Sequence, residues 1–302
     1  MQRRSVLLST IAAGAVAVAA RAAAPAPTTA GQRRQAKIQT HDGTNLFYRD
    51  WGSGRPIVFV HSLSVSSAIW AYQEAFLGDH GFRCISFDRR GHGRSDPLAP
   101  GFDMNTFADD IRAVIEGLEL KDVTLVGHSV GCGEIIRYLA RHGSSRVSKA
   151  VLLGPTTPFV LQTADNSYGA PAAYFEQMRS EWASDYPKWI EDNKAPFFAA
   201  DTSPAMVEWL VSVIREAHVP TAIAYHRTYV ATDLRPDLGK IDRPVLVLHG
   251  DKDASAPLEI TGRRTALGIR GAVLKVYPGA AHGLFVTHMD QVNRDILEFI
   301  NS

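Results

Sequence analysis

The sequence predicts an α/β fold, a mostly parallel doubly wound sheet with a helical cap inserted between its sixth and seventh strands. Three observations predict it. Short, nearly continuous apolar runs recur at 57–60, 84–87, 123–126, 150–153, 245–248 and 273–276, the pattern of strands buried on both faces of a parallel sheet. Helical periods alternate with them, clearest at Phe107, Ile111, Val114, Ile115 and Leu118. From about 155 to 242 the alternation stops, and the chain turns helical and aromatic. An insertion there leaves the carboxyl ends of the strands, where open α/β sheets bind their ligands.

The composition agrees. At 302 residues, 45% hydrophobic and 21% charged, the chain has ample material for a core that needs neither metal nor disulfide. Thirty-two Lys and Arg stand against 31 Asp and Glu, spread rather than clustered, which argues against a nucleic-acid partner.

The first element is an export signal. Arg3-Arg4 precedes an uncharged run over 6–20, followed by Arg21 and small residues. Fifteen residues fall short of the roughly twenty needed to span a membrane. The mild, Ala-rich run resembles a twin-arginine signal peptide over residues 1–22, with cleavage after Ala22; an uncleaved amino-terminal anchor is the alternative. A flexible tether then covers 23–35 and the folded domain 36–302. The expected location is periplasmic or secreted, with no stable membrane span after cleavage.

Asp42-Gly43 between two alternating runs marks a hairpin. Thr106 is placed as the cap of the helix that follows. Cys84, inside a strand, and Cys132, at a helix start, read as small buried hydrophobes rather than a disulfide. No metal cluster or glycine-rich phosphate loop is visible. In the cap, Tyr174, Phe175, Trp182, Trp189, Phe197, Phe198, Trp209 and Tyr225 are expected mostly to hold the cap helices together.

The strongest motif is Gly127-His128-Ser129-Val130-Gly131, directly after one strand and before a helix. In that context G-x-S-x-G is a nucleophile elbow. The small neighbours let Ser129 take a strained turn, and the helix start offers N–H groups where negative charge develops. A serine hydroxyl needs a base, and the base an orienting acid, in the chain order Ser, acid, His. Asp253, in the loop after one strand, and His282, in the loop after the next, fill those positions. Asp251 is the rival acid, with bracing of the loop as its other role. The oxyanion donors are the backbone N–H groups of Val130 and Leu63. His61 and His128 are expected to hydrogen-bond the surrounding loops, and His288 to begin the last helix.

With these residues in place, the chain resembles the α/β-hydrolase superfamily, and within it the bacterial aryl esterase/perhydrolase and cofactor-free haloperoxidase family. The likeness runs from about residue 37 to the carboxyl terminus. Besides the elbow it rests on Phe87-Asp88-Arg89-Arg90-Gly91-His92-Gly93-Arg94-Ser95, Thr106-Phe107-Ala108-Asp109-Asp110, Asp233-Leu234-Arg235-Pro236-Asp237 and Val286-Thr287-His288. It implies a serine hydrolase of carboxylic esters or lactones with no metal or organic cofactor. It also implies a side capacity for making peracids, which oxidise halide. Ser62 stands where the family usually has Gly, Leu63 where Trp or Phe is common, Ser64 where perhydrolases favour Pro, and Val130 where Met is common. Ser255 and Ala256 replace a bulkier pair. A wide acyl pocket and weak peracid formation follow as expectations. Ser62, Ser64, Ser255 and Ala256 would border the substrate. Tyr48, Phe159 and Phe197 could equally wall it or pack the core.

Epoxide hydrolases and haloalkane dehalogenases of this fold use an Asp nucleophile, and Ser129 sets them aside. Perhydrolase/haloperoxidase, C–C bond hydrolase or amidase activity are the other enzymatic readings. A non-catalytic ligand-binding protein would have no need of all three of Ser129, Asp253 and His282. The partner is a small-molecule ester or lactone, and a homo-oligomer is compatible with the sequence.

Overall fold

The computed structural model describes residues 37–99 and 101–302. The signal peptide read over 1–22 and the tether over 23–35 lie outside the described residues, as does Ala36. Strands β1 (Lys37–Gln39), β2 (Asn45–Gly52) and β3 (Arg55–Val60) lead through α1 (Ala71–Asp79) to β4 (Phe82–Phe87). Then follow α2 (Met104–Gly117), β5 (Val123–His128), α3 (Val130–His142) and β6 (Val147–Leu153). The cap helices α4 (Ala172–Asn193), α5 (Pro204–Arg215) and α6 (Val219–Ala231), with the short α7 (Arg235–Leu238), separate β6 from β7 (Val245–Gly250). The chain ends with α8 (Gly262–Gly268), β8 (Val273–Tyr277), α9 (Leu284–Thr287) and α10 (Met289–Asn301).

These strands form one sheet in the order β1-β2-β4-β3-β5-β6-β7-β8. Strands β3 to β8 run parallel, and the β1–β2 hairpin adds antiparallel strands at one edge. Each central strand feeds two cores. Val58, Val60, Leu125, Leu152 and Val247 face α2 and α3, whereas Ile57, Phe59, Val126, Val151 and Leu246 join Leu77 of α1 and Ile296 of α10. That division explains the unbroken apolar runs, since side chains on alternate faces are all buried. Each such side chain contributes roughly 1.5–3 kcal/mol.

Two local expectations are corrected. The run at 273–276 is not buried on both faces: β8 is the edge strand, and Val273 and Val276 are exposed. An apolar run alone does not tell an edge from a centre. The cap of α2 is Asp103, which accepts from the Thr106 N–H at 2.9 Å. Thr106 is the third helical residue and completes a reciprocal capping box. Cys84 and Cys132 are free and buried, and His288 caps the start of α10. Among the described residues no helix is long and apolar enough to cross a membrane.

Candidate active site

Ser129 joins β5 to α3 with φ 57° and ψ −120°. A side-chain-bearing residue held there stores backbone strain of order 1–3 kcal/mol, which the flanking packing must offset. Two glycines make the turn sterically open. A Cβ on Gly131 would lie 2.6 Å from Val60 O and 2.8 Å from His61 O, and one on Gly127 would meet Ile135 at 2.7 Å. The Ser129 N–H donates to Leu153 O at 2.9 Å, tying the turn to β6.

The loops after β7 and β8 bring Asp253 and His282 together. His282 Nδ1–H donates to Asp253 Oδ2 at 2.7 Å, leaving Nε2 as the ring's acceptor. Asp253 Oδ1 accepts from the Ala256 N–H at 2.7 Å. His249 Nε2 lies 3.4 Å from Oδ2 and donates to Ala256 O. Burial alone would push the Asp253 carboxyl up. The charge of His282 and the hydrogen bonds from His249 and His282 outweigh it and hold the carboxyl well below the usual carboxylate range. Asp251, by contrast, is exposed, and it accepts from the Gly279 N–H at 2.7 Å, bracing the turn after β8.

His128 supports His282 from behind. Its Nε2–H donates to His282 O at 3.0 Å, and the two rings pack at 4.7 Å. Burial, then the neighbouring His282, lower its pKa to about 3, so it stays neutral.

Neither Val130 N–H nor Leu63 N–H donates to any described residue. Val130 opens α3, where a helix has no internal acceptor for its first N–H groups. The Leu63 N–H is aimed indirectly. Ser62 O accepts from His61 Nδ1–H at 2.7 Å and from the Arg89 guanidinium at 3.1 Å. Because a peptide unit is planar and trans, pinning the Ser62 carbonyl fixes the opposite direction of the Leu63 N–H. Arg89 also donates to His61 O at 2.7 Å and forms a buried ion pair with Glu134 of α3. The Tyr225 hydroxyl of α6 donates to the same carboxylate at 2.6 Å. Sequence reasoning quoted Arg89 only as part of a motif and gave Glu134 no role. The signal available is two adjacent arginines directly after an apolar strand: both are buried, and a buried guanidinium must be paired.

Ser62 needs no left-handed backbone. The left-handed residue of this loop is Ser64, at φ 61°.

A cavity of about 330 Å³ opens over these groups. Ser62, Leu63, Ser64, Ser129, Val130, Ser255 and His282 share its wall with Phe197, whose ring meets His282 edge-on at 5.4 Å. Three expected residues do not reach it. Tyr48 is buried in the core on β2, Phe159 lies under the Arg235 guanidinium, and Ala256 sits behind Asp253. The cap aromatics do more than expected. Tyr174, Phe175, Trp182, Trp189 and Phe198 line the cavity, joined by Tyr186, while Trp209 and Tyr225 stay outside it. Among the described residues no group of three or more His, Cys, Asp or Glu is placed to hold a metal.

The alpha/beta hydrolase fold family matches residues 55–289. The chain belongs to the α/β-hydrolase family. This α/β-hydrolase is 40% identical over 275 residues to the non-heme haloperoxidase of Rhodococcus erythropolis, covering 88% of the chain and 99% of that protein. It is 36% identical to the bifunctional esterase/perhydrolase DCH of Acinetobacter calcoaceticus over the same shares of the two chains. Among solved structures, the bromoperoxidase from Bacillus anthracis superposes with a TM-score of 0.84 at 32% identity, covering 88% of this chain and 99% of that one. The esterase from Exiguobacterium antarcticum gives the same values.

Proposed function

We propose that this α/β-hydrolase cleaves carboxylic esters or lactones through an acyl-enzyme on Ser129. The observation that carries the reading is a strained Ser129 sharing one cavity wall with a His282 whose tautomer Asp253 sets. His282 Nε2 takes the Ser129 proton as the hydroxyl attacks the ester carbonyl. The oxyanion that forms is received by the Leu63 and Val130 N–H groups, where one donor is worth roughly 3 kcal/mol of barrier. Protonated His282 then gives its proton to the leaving alcohol, and a water repeats the sequence to release the acid. Among the described residues Ser129 Oγ forms no hydrogen bond to His282, a contact that in such sites tightens on substrate binding.

A second reading, peracid formation with halide oxidation, is favoured by relatives named haloperoxidases and an esterase/perhydrolase. Ser64 speaks for hydrolysis. Its φ of 61° is one that proline, fixed near −65°, cannot adopt, so this loop differs in backbone from a loop bearing the proline of perhydrolases.

The test is turnover of p-nitrophenyl esters from acetate to octanoate by the mature protein, beside Ser129→Ala and a well with peroxide and bromide. Ester turnover should fall at least about 10⁴-fold in Ser129→Ala and exceed halide oxidation. Equal ester rates in both proteins would sink the mechanism, and a steep preference for acetate would sink the wide pocket. We further propose delivery to the periplasm or medium by the twin-arginine signal. The amino terminus of the exported protein tests it, and a terminus other than Ala23 would overturn the proposed cleavage point.

A further inference from the structure

His226 of α6 lines the cavity from the cap side while being 92% buried, its relative exposure being 8%. Its Nδ1 lies 3.1 Å from the guanidinium of Arg179 on α4, which is itself anchored to Glu176 at 2.7 Å. A guanidinium can only donate, so Nδ1 is the acceptor and the ring proton must sit on Nε2. No described residue accepts from that Nε2–H.

Several other polar groups of the cap wall are already engaged, while the buried Trp182 Nε1–H, next to His226, is a second donor with no partner among the described residues. Asn193 Nδ2 donates to Trp189 O, Lys194 pairs with Glu191, and the Thr156 and Tyr229 hydroxyls bond each other. The His226 ring is set between Trp182, at 4.8 Å, and Phe175, at 5.8 Å. The Nε2–H keeps surface open to the cavity and has no acceptor among the described residues, so it is free to meet one on a ligand.

We propose that the Nε2–H of His226 is a second recognition point, which receives a neutral carbonyl oxygen of the substrate remote from the bond that is cleaved. The surrounding aromatic rings favour a neutral acceptor over a carboxylate, whose charge they cannot solvate. Burial, then Arg179, lower the pKa of His226 to about 4, so the ring remains a neutral donor at ordinary pH. The proposal rests on the ester-hydrolase reading and adds to it the substrate class, an ester carrying a further ketone or amide carbonyl.

The experiment compares kcat/KM on matched pairs that place the extra carbonyl on either side of the ester. These are p-nitrophenyl hexanoate against p-nitrophenyl 5-oxohexanoate, and hexyl acetate against 5-oxohexyl acetate. Wild type should prefer the keto member of one pair by about threefold to tenfold. The ratio should fall to about one in His226→Phe and return in His226→Gln, which restores an N–H donor. No preference in wild type, or one that survives His226→Phe, overturns the proposal.

A binding arm needs neither turnover nor a His226 variant. In Ser129→Ala protein labelled with nitrogen-15 histidine, the His226 proton should sit on Nε2. Methyl 5-oxohexanoate should shift that resonance, and methyl hexanoate should not. A proton on Nδ1, or equal responses to the two esters, contradicts the proposal. If no ester is turned over, the hydrolase reading fails while this arm still decides on His226.

Discussion

On the floor of the cavity Ser129 is held at φ 57° beside Gly131, where a side chain would strike the backbone of Val60 and His61, and Asp253 has both carboxylate oxygens occupied by donors at 2.7 Å. In the cap above, Trp182 meets Tyr186, Trp189 and His226 ring against ring, and none of these four sits in a left-handed backbone conformation. The floor is specified by hard sterics and hydrogen-bond geometry, which tolerate few residues per position. The cap is specified by apolar contact, which many residues can supply. Chemistry that recurs across a family belongs on the first kind of structure, and substrate choice on the second.

Arg89 offers the strongest way to break that separation, because it ties the Ser62–Leu63 loop to α3 and, through Glu134, to Tyr225 of the cap. Arg89→Met leaves the Glu134 carboxylate buried without its cation and should cost about 3–5 kcal/mol of stability. It also frees the Ser62–Leu63 peptide, so kcat should fall with KM little changed. Adding Glu134→Met should recover most of the stability, since no lone charge remains, without restoring kcat. Denaturant melts and steady-state kinetics on both variants check this. If the double variant regains kcat together with its stability, Arg89 acts only on the fold.

Acid should sharpen the contrast more gently. His61, His92, His128 and His226 are buried, and burial in each case leads their pKa downward, to about 3 for His92 and His128 and about 4 for His226. Unfolded, the same residues titrate near 6.5. Above that pH neither state is protonated, and the fold carries no penalty from them. As pH falls from about 6.5 toward 4, the unfolded chain takes up protons that the folded chain refuses. Stability then drops by about 1.4 kcal/mol per pH unit for each histidine involved. Urea midpoints measured from pH 7 to pH 4 should decline steeply. His128→Asn should flatten the slope on the floor, and His226→Gln should do so in the cap. A midpoint independent of pH would show these rings to be protonated in the fold.

The same division explains what could be read from the sequence. The sheet was legible because strands buried on both faces must be apolar throughout, and the elbow because Gly127, Ser129 and Gly131 are a steric requirement written in three letters. β8 misled because its edge position depends on which strands flank it, which its own residues do not record. Phe159 and Ala256 were misplaced for a related reason: proximity in sequence to the cap or to Asp253 does not say which way a side chain turns. The cap aromatics were seen as aromatics. Only the crossing of α4 and α6 decides that Trp182 and Tyr186 face the cavity while Tyr225 turns to Glu134. His226 and Arg179, 47 residues apart, are paired by that same crossing.

We propose that the floor delivers a nucleophile and an oxyanion site at one point. The most direct test is a crystal structure of the protein treated with an alkyl fluorophosphonate. Phosphorus is expected on Ser129 Oγ, with the phosphoryl oxygen within hydrogen-bond distance of the Leu63 and Val130 N–H groups. An unlabelled Ser129, or an adduct whose phosphoryl oxygen points away from both, would contradict it.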